Sequence, residues 1–305
     1  MEYDLVIIGG GPAGVAAGVY AGRKKIKTAL ITDTFGGQSV VSADIQNFVG
    51  VPSISGIELA TQMERHLRAQ EGIDIMDGDR VSAINENTPG EFRIETINGK
   101  SIDTKTILFT AGSRRRKLGV PGEKEFDGKG VMYCGTCDAP LFGGKKVVVV
   151  GGGNAGLETV RDLIPYASEI YLFEHSGKVK GDPITFEKIR SDSKVHVKTQ
   201  VQVTGITGEK MVEKIMYKDL STGEDKEIEA DGIFEEIGWI PNSDLLKDMV
   251  ELSKKGEIIV DQKTQKTSKT GIWAAGDVTD GLYKQNNISM GDGVKAVLNI
   301  YEFLQ

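Results

Sequence analysis

The chain has 305 residues, of which 39% are hydrophobic and 39 are glycine, a balance suited to an α/β protein rich in tight strand-to-helix turns. At ~150 residues per domain this length suggests two domains. A net charge of −7 and a pI of about 5.2 argue against broad binding to nucleic acid or anionic membrane, which needs a basic field. No apolar run approaches the ~18 residues of a transmembrane helix, and the N-terminus enters an apolar strand with no basic signal region. The expected location is the cytoplasm.

In chain order, Leu5–Gly9 is a continuous apolar strand, as a buried parallel strand should be, and Pro12–Tyr20 is compatible with a helix. Thr28–Ile31 returns as a second strand, completing one βαβ half of a doubly wound sheet. Met63–Ala69 reads as a helix, and Phe92–Thr96 and Thr106–Phe109 as strands around an Asn98-Gly99 turn. The pattern restarts at Lys145, with a strand at Val147–Gly151, a helix at Asn154–Leu163 and a strand at Glu169–Phe173. Val195–Val203 reads as one strand, and Glu213–Lys218 with Lys226–Ile228 as a hairpin turning at Ser221–Glu224. Ile258–Val260 and Ile272–Ala275 are late strands, and Gly293–Phe303 is a C-terminal helix. The fold class is α/β, with two Rossmann-like nucleotide-binding domains.

Gly9-Gly10-Gly11-Pro12-Ala13-Gly14 fits G-x-G-x-x-G after a strand and at the opening of a helix. The first glycine permits the tight turn, the second lets the backbone approach a pyrophosphate, and the third lets helix and strand pack closely. The helix N-terminus then offers unpaired N–H groups to phosphate. Asp33 stands where an acid accepts from a ribose hydroxyl. Gly151-Gly152-Gly153-Asn154-Ala155-Gly156 repeats the signature, and its second strand ends at Glu174. A carboxylate there suits a ribose 2′-hydroxyl and repels a 2′-phosphate, which wants arginine. The segment has Lys178 and Lys180 but no arginine pair, which disfavours NADPH. The bland alternative is a nucleotide fold kept only as scaffold.

Both cysteines sit in Cys134-Gly135-Thr136-Cys137. A C-x-x-C brings two sulfurs within disulfide reach; one thiolate attacks a partner disulfide and the other resolves the mixed disulfide. Half of a zinc site is the competing reading, but zinc needs four ligands and His66, His175 and His196 are scattered, so no metal is expected. Asp138 is the adjacent proton carrier if it is partly buried. Its alternative role is to cap the helix after the turn.

The chain resembles the low-molecular-weight thioredoxin reductases over essentially its whole length. Gly9–Gly14 is similar to the family's FAD pyrophosphate loop, Gly36-Gly37-Gln38 to its G-G-Q, and Asn47-Phe48-Val49-Gly50 to its E-N-F-P-G segment with Val49 in place of proline. Thr110-Ala111-Gly112 departs slightly from A-T-G. Cys134–Asp138 matches C-x-T-C-D, Gly238–Asn242 resembles G-x-x-P-N, and Ala275-Gly276-Asp277-Val278 resembles the second FAD motif. Lys284-Gln285 stands where R-Q is usual.

The resemblance implies FAD in a discontinuous domain (residues 1–115 and 243–305), with an inserted domain (116–242) that carries the dithiol. It implies a flavin site built from Gly9, Gly11, Pro12, Ala13, Gly14, Asp33, Gly36, Gly37, Gln38, Asn47, Val81, Ala111, Gly112, Gly276, Asp277, Lys284 and Gln285. It further implies a homodimer in which Cys137 faces the flavin and Cys134 attacks thioredoxin. The family's H-R-R-x-x-x-R, which grips the 2′-phosphate of NADPH, here reads Glu174-His175-Ser176-Gly177-Lys178-Val179-Lys180. The ferredoxin-dependent flavin thioredoxin reductases share this loss. The expected activity is therefore thioredoxin-disulfide reduction, with ferredoxin as donor and the basic run Arg114-Arg115-Arg116-Lys117 as its docking patch. NADH is the alternative donor, and a flavin redox sensor or binding module is the alternative of another class. A peroxiredoxin-reducing role is not expected, since it usually brings an extra thioredoxin-like domain.

Overall fold

The computed structural model describes residues 2–42 and 44–305. These divide into two compact units: one runs up to Arg114 and resumes at Ile240, and the other is Arg115–Trp239. The chain begins with β1 (Glu2–Gly10), α1 (Pro12–Arg23), β2 (Thr28–Phe35), α2 (Gly56–Arg68), β3 (Ile73–Asp77), β4 (Val81–Thr88), β5 (Glu91–Thr96) and β6 (Ser101–Phe109), then reaches the crossing strand β7 (Ser113–Arg115). The second unit carries β8 (Val131–Met132), α3 (Gly135–Asp138), β9 (Lys146–Val150), α4 (Asn154–Leu163), β10 (Glu169–Glu174) and α5 (Pro183–Arg190). It continues with β11 (Val195–Thr199), β12 (Val201–Gly208), β13 (Val212–Asp219), β14 (Asp225–Glu229) and β15 (Gly232–Glu235). The chain returns through β16 (Trp239–Pro241) to β17 (Ile272–Ala274) and α6 (Asn286–Phe303).

In the first unit the strands run β3-β2-β1-β6-β5-β4, with β17 also on β6; β1, β2, β3, β6 and β17 pair in parallel, and β4-β5-β6 is an antiparallel meander. The second unit repeats the plan as a parallel sheet β11-β10-β9-β15-β8 beside a separate meander β12-β13-β14. Side chains alternate across each strand, and both faces are covered. Leu5 and Ile7 of β1 pack with α1, α2 and α6, while Val6 and Ile8 pack with Ile84, Phe92 and Ile94 of the meander. In β9, Val147 and Val149 meet Leu157, Val160 and Leu163 of α4, while Val148 and Val150 meet Val203 and Ile215. Such fully buried strands read as unbroken apolar runs, which is why β1 and β9 are plain in the sequence.

Several elements differ from expectation: α2 begins at Gly56 rather than Met63, and β6 at Ser101 rather than Thr106. Val195–Val203 is two strands in two sheets, because Gln200 takes a left-handed φ of 57° and turns the chain between β11 and β12. Ile258–Val260 forms no strand; Ile258 makes only isolated bridges to Leu252 and Thr279. The last helix begins at Asn286 rather than Gly293. Its glycine has a packing reason: a side chain at Gly293 would sit 2.1 Å from the Ala13 carbonyl oxygen, so α6 lies directly on α1.

Candidate functional sites: a nucleotide cavity and a buried-acid dithiol

The first glycine turn opens on a cavity of about 630 Å³ in the first unit. Its glycines divide the labour. A side chain at Gly9 (φ 115°) would strike the Thr110 carbonyl oxygen at 2.5 Å, and one at Gly14 the Gly9 carbonyl oxygen at 1.9 Å. Both positions serve the turn and the close approach of helix to strand. Gly11 differs: a side chain there would meet nothing within 4 Å and would point into open space at the cavity wall. Bare backbone at a helix N-terminus suits a pyrophosphate.

The cavity brings together Gly9, Gly11, Pro12, Ala13, Asp33, Gly37, Gln38, Val81, Ala111, Gly112, Gly276 and Asp277 from distant parts of the chain. Asp33 receives Arg80 Nη2 at 2.7 Å, a partner the sequence pattern did not reveal. Asp277 accepts from Ser289 Oγ at 3.0 Å, which ties it to α6. Asn242 also lines the wall, donating through Nδ2 to the Ala111 carbonyl at 2.8 Å. Gly14, Gly36, Asn47, Lys284 and Gln285 do not line it. Gly36, in a left-handed turn, would meet the Ala60 side chain at 2.5 Å if it had one of its own. Asn47 Nδ2 donates to Gln285 Oε1 at 3.2 Å, and Lys284 donates to the Thr279 carbonyl and pairs with Glu257 at 3.5 Å. These residues tie loops of the same unit together.

The second glycine turn copies the first. Gly9 and Gly151 have φ of 115° and 119°, and a side chain at Gly156 would meet the Gly151 carbonyl oxygen at 1.8 Å. Gly10 N–H donates to Thr32 Oγ1 at 2.9 Å; in the equivalent place Gly152 N–H donates to Glu174 Oε2 at 2.7 Å. Glu174 Oε1 accepts from the backbone N–H and the hydroxyl of Ser176 at 2.8 and 2.6 Å. Burial opposes its charge, but these donors and Lys180 win and hold the carboxyl below its usual range. A fixed anion therefore stands at the mouth of the turn.

Cys134 and Cys137 form a disulfide with Cα atoms 5.3 Å apart. The Cys137 N–H donates to Cys134 Sγ at 3.3 Å. Gly135 is required here, since a side chain would fall 2.4 Å from Thr159 Oγ1 on α4. Asp138 makes no side-chain cap to the turn that follows. It is 5% exposed, and burial pushes its carboxyl up to about 6 against the pull of Arg115.

Sequence reasoning missed the surroundings of the dithiol. Glu236 Oε1 accepts from Thr159 Oγ1 at 2.9 Å, Oε2 lies 3.6 Å from Arg115 Nη1, and the Gly135 N–H bonds the same carboxyl. Burial pushes Glu236 up to about 7. The Arg115 guanidinium stacks 3.8 Å from the Trp239 ring centroid. Glu123 Oε1 and the Glu235 carboxyl are buried without a side-chain donor, and Glu235 is pushed up to about 8, first by burial and then by Glu123. Two acids in a row at the end of a buried strand were the available signal. In the basic run Arg114 donates to Asn242 at 2.7 Å, Arg115 pairs with Glu236, and Lys117 pairs with Asp127 at 3.1 Å, while Arg114, Arg116 and Lys117 remain exposed. Among the described residues no cluster of three or more metal-type ligands occurs, and no helix is long and apolar enough to cross a membrane.

The sequence matches the family described as pyridine nucleotide-disulphide oxidoreductase over residues 3–293. It is 41% identical over 302 residues to the F subunit of the alkyl hydroperoxide reductase of Staphylococcus aureus (strain MRSA252), covering 99% of this chain and 59% of that protein. It is 43% identical over 304 residues to the same component of the Pseudomonas putida enzyme, covering 99% and 58%. The chain thus spans about three fifths of the length of the curated relatives it matches. Among solved structures it is similar to a thioredoxin reductase from Streptococcus pyogenes MGAS5005, with a TM-score of 0.89, 31% identity and coverage of 99% of this chain and 98% of that one. A glycine turn with bare backbone at Gly11, beside a cavity that Asp277 also lines, fits the pyrophosphate and ribityl parts of FAD. The chain belongs to the pyridine nucleotide-disulphide oxidoreductases, and its cofactor is FAD.

Proposed function

We propose that the protein is a disulfide reductase that draws electrons from NADH and delivers them through Cys134 and Cys137 to thioredoxin. The observation that carries the disulfide half is the Cys134–Cys137 bond followed directly by the buried Asp138, whose carboxyl is pushed up to about 6. The donor half rests on the second glycine turn, which keeps the form of the first, and on Glu174, which is ionised at its mouth with no arginine in 174–180. A fixed anion accepts a ribose hydroxyl and repels a 2′-phosphate. Ferredoxin is the second reading, favoured by the same missing arginines; Arg114, Arg116 and Lys117 of the run expected to dock it are exposed. The identity to the F components of alkyl hydroperoxide reductases favours a related acceptor, a thioredoxin-type dithiol that serves peroxide reduction. A homodimer, implied by the resemblance, belongs to the same proposal.

FAD, when bound, supplies two-electron transfer between nicotinamide and disulfide. Gly11 and the N-terminus of α1 would hold its pyrophosphate, Asp33 its ribose and Asp277 its ribityl chain. Once the dithiol is reduced, the Cys134 thiolate attacks the acceptor disulfide and a mixed disulfide forms. The thiolate that leaves takes the proton of Asp138. The Cys137 thiolate then attacks Cys134 Sγ, which frees the second acceptor thiolate and restores the Cys134–Cys137 bond. Cys137→Ser should stop at the first step and trap the acceptor covalently. If Cys134→Ser traps it instead, the order of attack is reversed; if neither traps thioredoxin, the acceptor is a different protein.

A further inference from the structure

The two residues between the cysteines are both held by α4. Gly135 packs on it so closely that a side chain there would fall 2.4 Å from Thr159 Oγ1. Thr136 Oγ1 donates to Asp162 Oδ2 at 2.8 Å. Thr159 and Asp162 stand three residues apart on one helix, so they share a face. Within the loop, the Cys137 N–H donates to Cys134 Sγ at 3.3 Å and the Asp138 N–H to the Cys134 carbonyl at 3.0 Å, which closes the turn on itself.

The helix is a firm anchor. Leu157, Val160 and Leu163 are fully buried in one cluster with Val147 and Val149 of β9. Thr159 donates in turn to Glu236 Oε1 at 2.9 Å, just past the end of β15. Thr136 is different: it is exposed, and its hydroxyl crosses from a short turn to a helix that the core holds still.

We propose that Asp162 is a positioning residue for the dithiol: through Thr136 it ties the C-x-x-C loop to α4 and so favours the closed disulfide over the open dithiol. This rests on reading Cys134 and Cys137 as the working pair of a disulfide reductase. Reduction through the flavin breaks the S–S bond, takes up two electrons and two protons, and leaves two thiols that need not stay within bonding distance. A tether present in the closed loop lowers the conformational cost of returning to it. It moves the equilibrium only by the difference in its strength between the two states. Asp162 serves here as an acceptor: Oδ2 takes the Thr136 hydroxyl, while Oδ1 lies 3.5 Å from Arg161 Nη2. The resolving step gains from the same tether, because Cys137 must find Cys134 Sγ within the mixed disulfide, and a loop kept near its closed form shortens that search.

Anaerobic equilibration of the FAD-loaded protein with oxidised and reduced dithiothreitol, followed by acid quench, thiol alkylation and mass spectrometry, reads the equilibrium constant for closing the disulfide. Asp162→Ala and Thr136→Val are each expected to lower that constant about tenfold, which raises the midpoint potential by about 30 mV. Asp162→Asn keeps an acceptor and Thr136→Ser keeps the donor, so both should stay within about twofold of the wild type. Asp162→Ala combined with Thr136→Val should fall no further than either alone, as the two ends of one bond must. Circular dichroism and flavin absorbance show which variants are folded, and either single variant with its conservative counterpart is enough for the comparison. A constant that stays put in the folded variants overturns the proposal. So does a shift for Asp162→Asn as large as that for Asp162→Ala, which would assign the effect to charge, and so do additive single shifts, which would give the two residues separate roles. The titration uses neither NADH nor thioredoxin, so it fails or succeeds independently of the donor and acceptor assignments.

Discussion

Asp138 follows Cys137 directly, with its carboxyl buried, pushed up to about 6, and with no capping bond to the turn that follows. Asp138→Asn should keep the flavin absorbance and slow dithiol–disulfide exchange with the acceptor by roughly 10²-fold or more. Its sign with pH is fixed by its raised pKa: the group is a donor below about 6 and loses its proton above it. Exchange by the wild type should therefore fall as pH rises through that value, and the asparagine variant should lose this limb. Stopped-flow exchange rates at a series of pH values, at constant ionic strength, check both. Equal rates for the two proteins across the range would remove Asp138 from the chemistry. The residue itself was legible from its place beside the cysteines. Arg115 and Glu236 were not, because they meet across more than a hundred residues of chain and no local pattern announces such a pair.

At the scale of elements, what was legible was local: a strand, a glycine turn and a helix in unbroken sequence, twice over. The parts that failed were decided by contacts or by single torsions. Gln200 looks like the middle of a β run and is a left-handed corner. Ile258–Val260 has strand composition but no neighbouring strand to pair with. Lys284 and Gln285 stand in a motif yet tie loops rather than line the cavity. The glycine turn yields a contrast that tests the cofactor site. Gly11→Leu should fold with an unchanged Tm in the apo form and lose FAD, because its side chain enters the cavity. Gly14→Ala drives a methyl group into the Gly9 carbonyl, so it should lower the apo Tm as well. Absorbance at the flavin band and thermal melts of the apo proteins separate the two. The second turn permits a gain of function. His175 is exposed beside the Glu174 anion, and His175→Arg with Lys180→Arg should raise the NADPH-to-NADH ratio of kcat/KM by about tenfold, the worth of roughly 1.4 kcal/mol. An unchanged ratio would mean that no 2′-phosphate comes near this segment.

Across the whole molecule, two nucleotide folds of one design carry different burdens: the first is built around a cavity, the second around buried acids. Those acids make stability depend on pH in a definite direction. Glu235 has a folded pKa of about 8 against 4.5 unfolded, so its contribution is complete below 4.5 and is lost as pH rises through 8. Glu235→Gln removes that loss and should be the more stable protein at pH 9 by about 2 kcal/mol, while differing little at pH 5. Urea unfolding at the two pH values measures this; equal gains at both would place the effect in packing rather than in charge. The central claim, that NADH electrons reach the Cys134–Cys137 disulfide through the flavin, is tested most directly by anaerobic stopped-flow mixing of the FAD-loaded protein with NADH, NADPH and reduced ferredoxin in turn, each with oxidised thioredoxin present. The account predicts that micromolar NADH bleaches the flavin and yields two new thioredoxin thiols per NADH consumed, that NADPH at the same concentration is at least tenfold slower, and that Cys134→Ser still bleaches but releases no thiols. Flavin that NADH leaves yellow while reduced ferredoxin or NADPH bleaches it rapidly would contradict it.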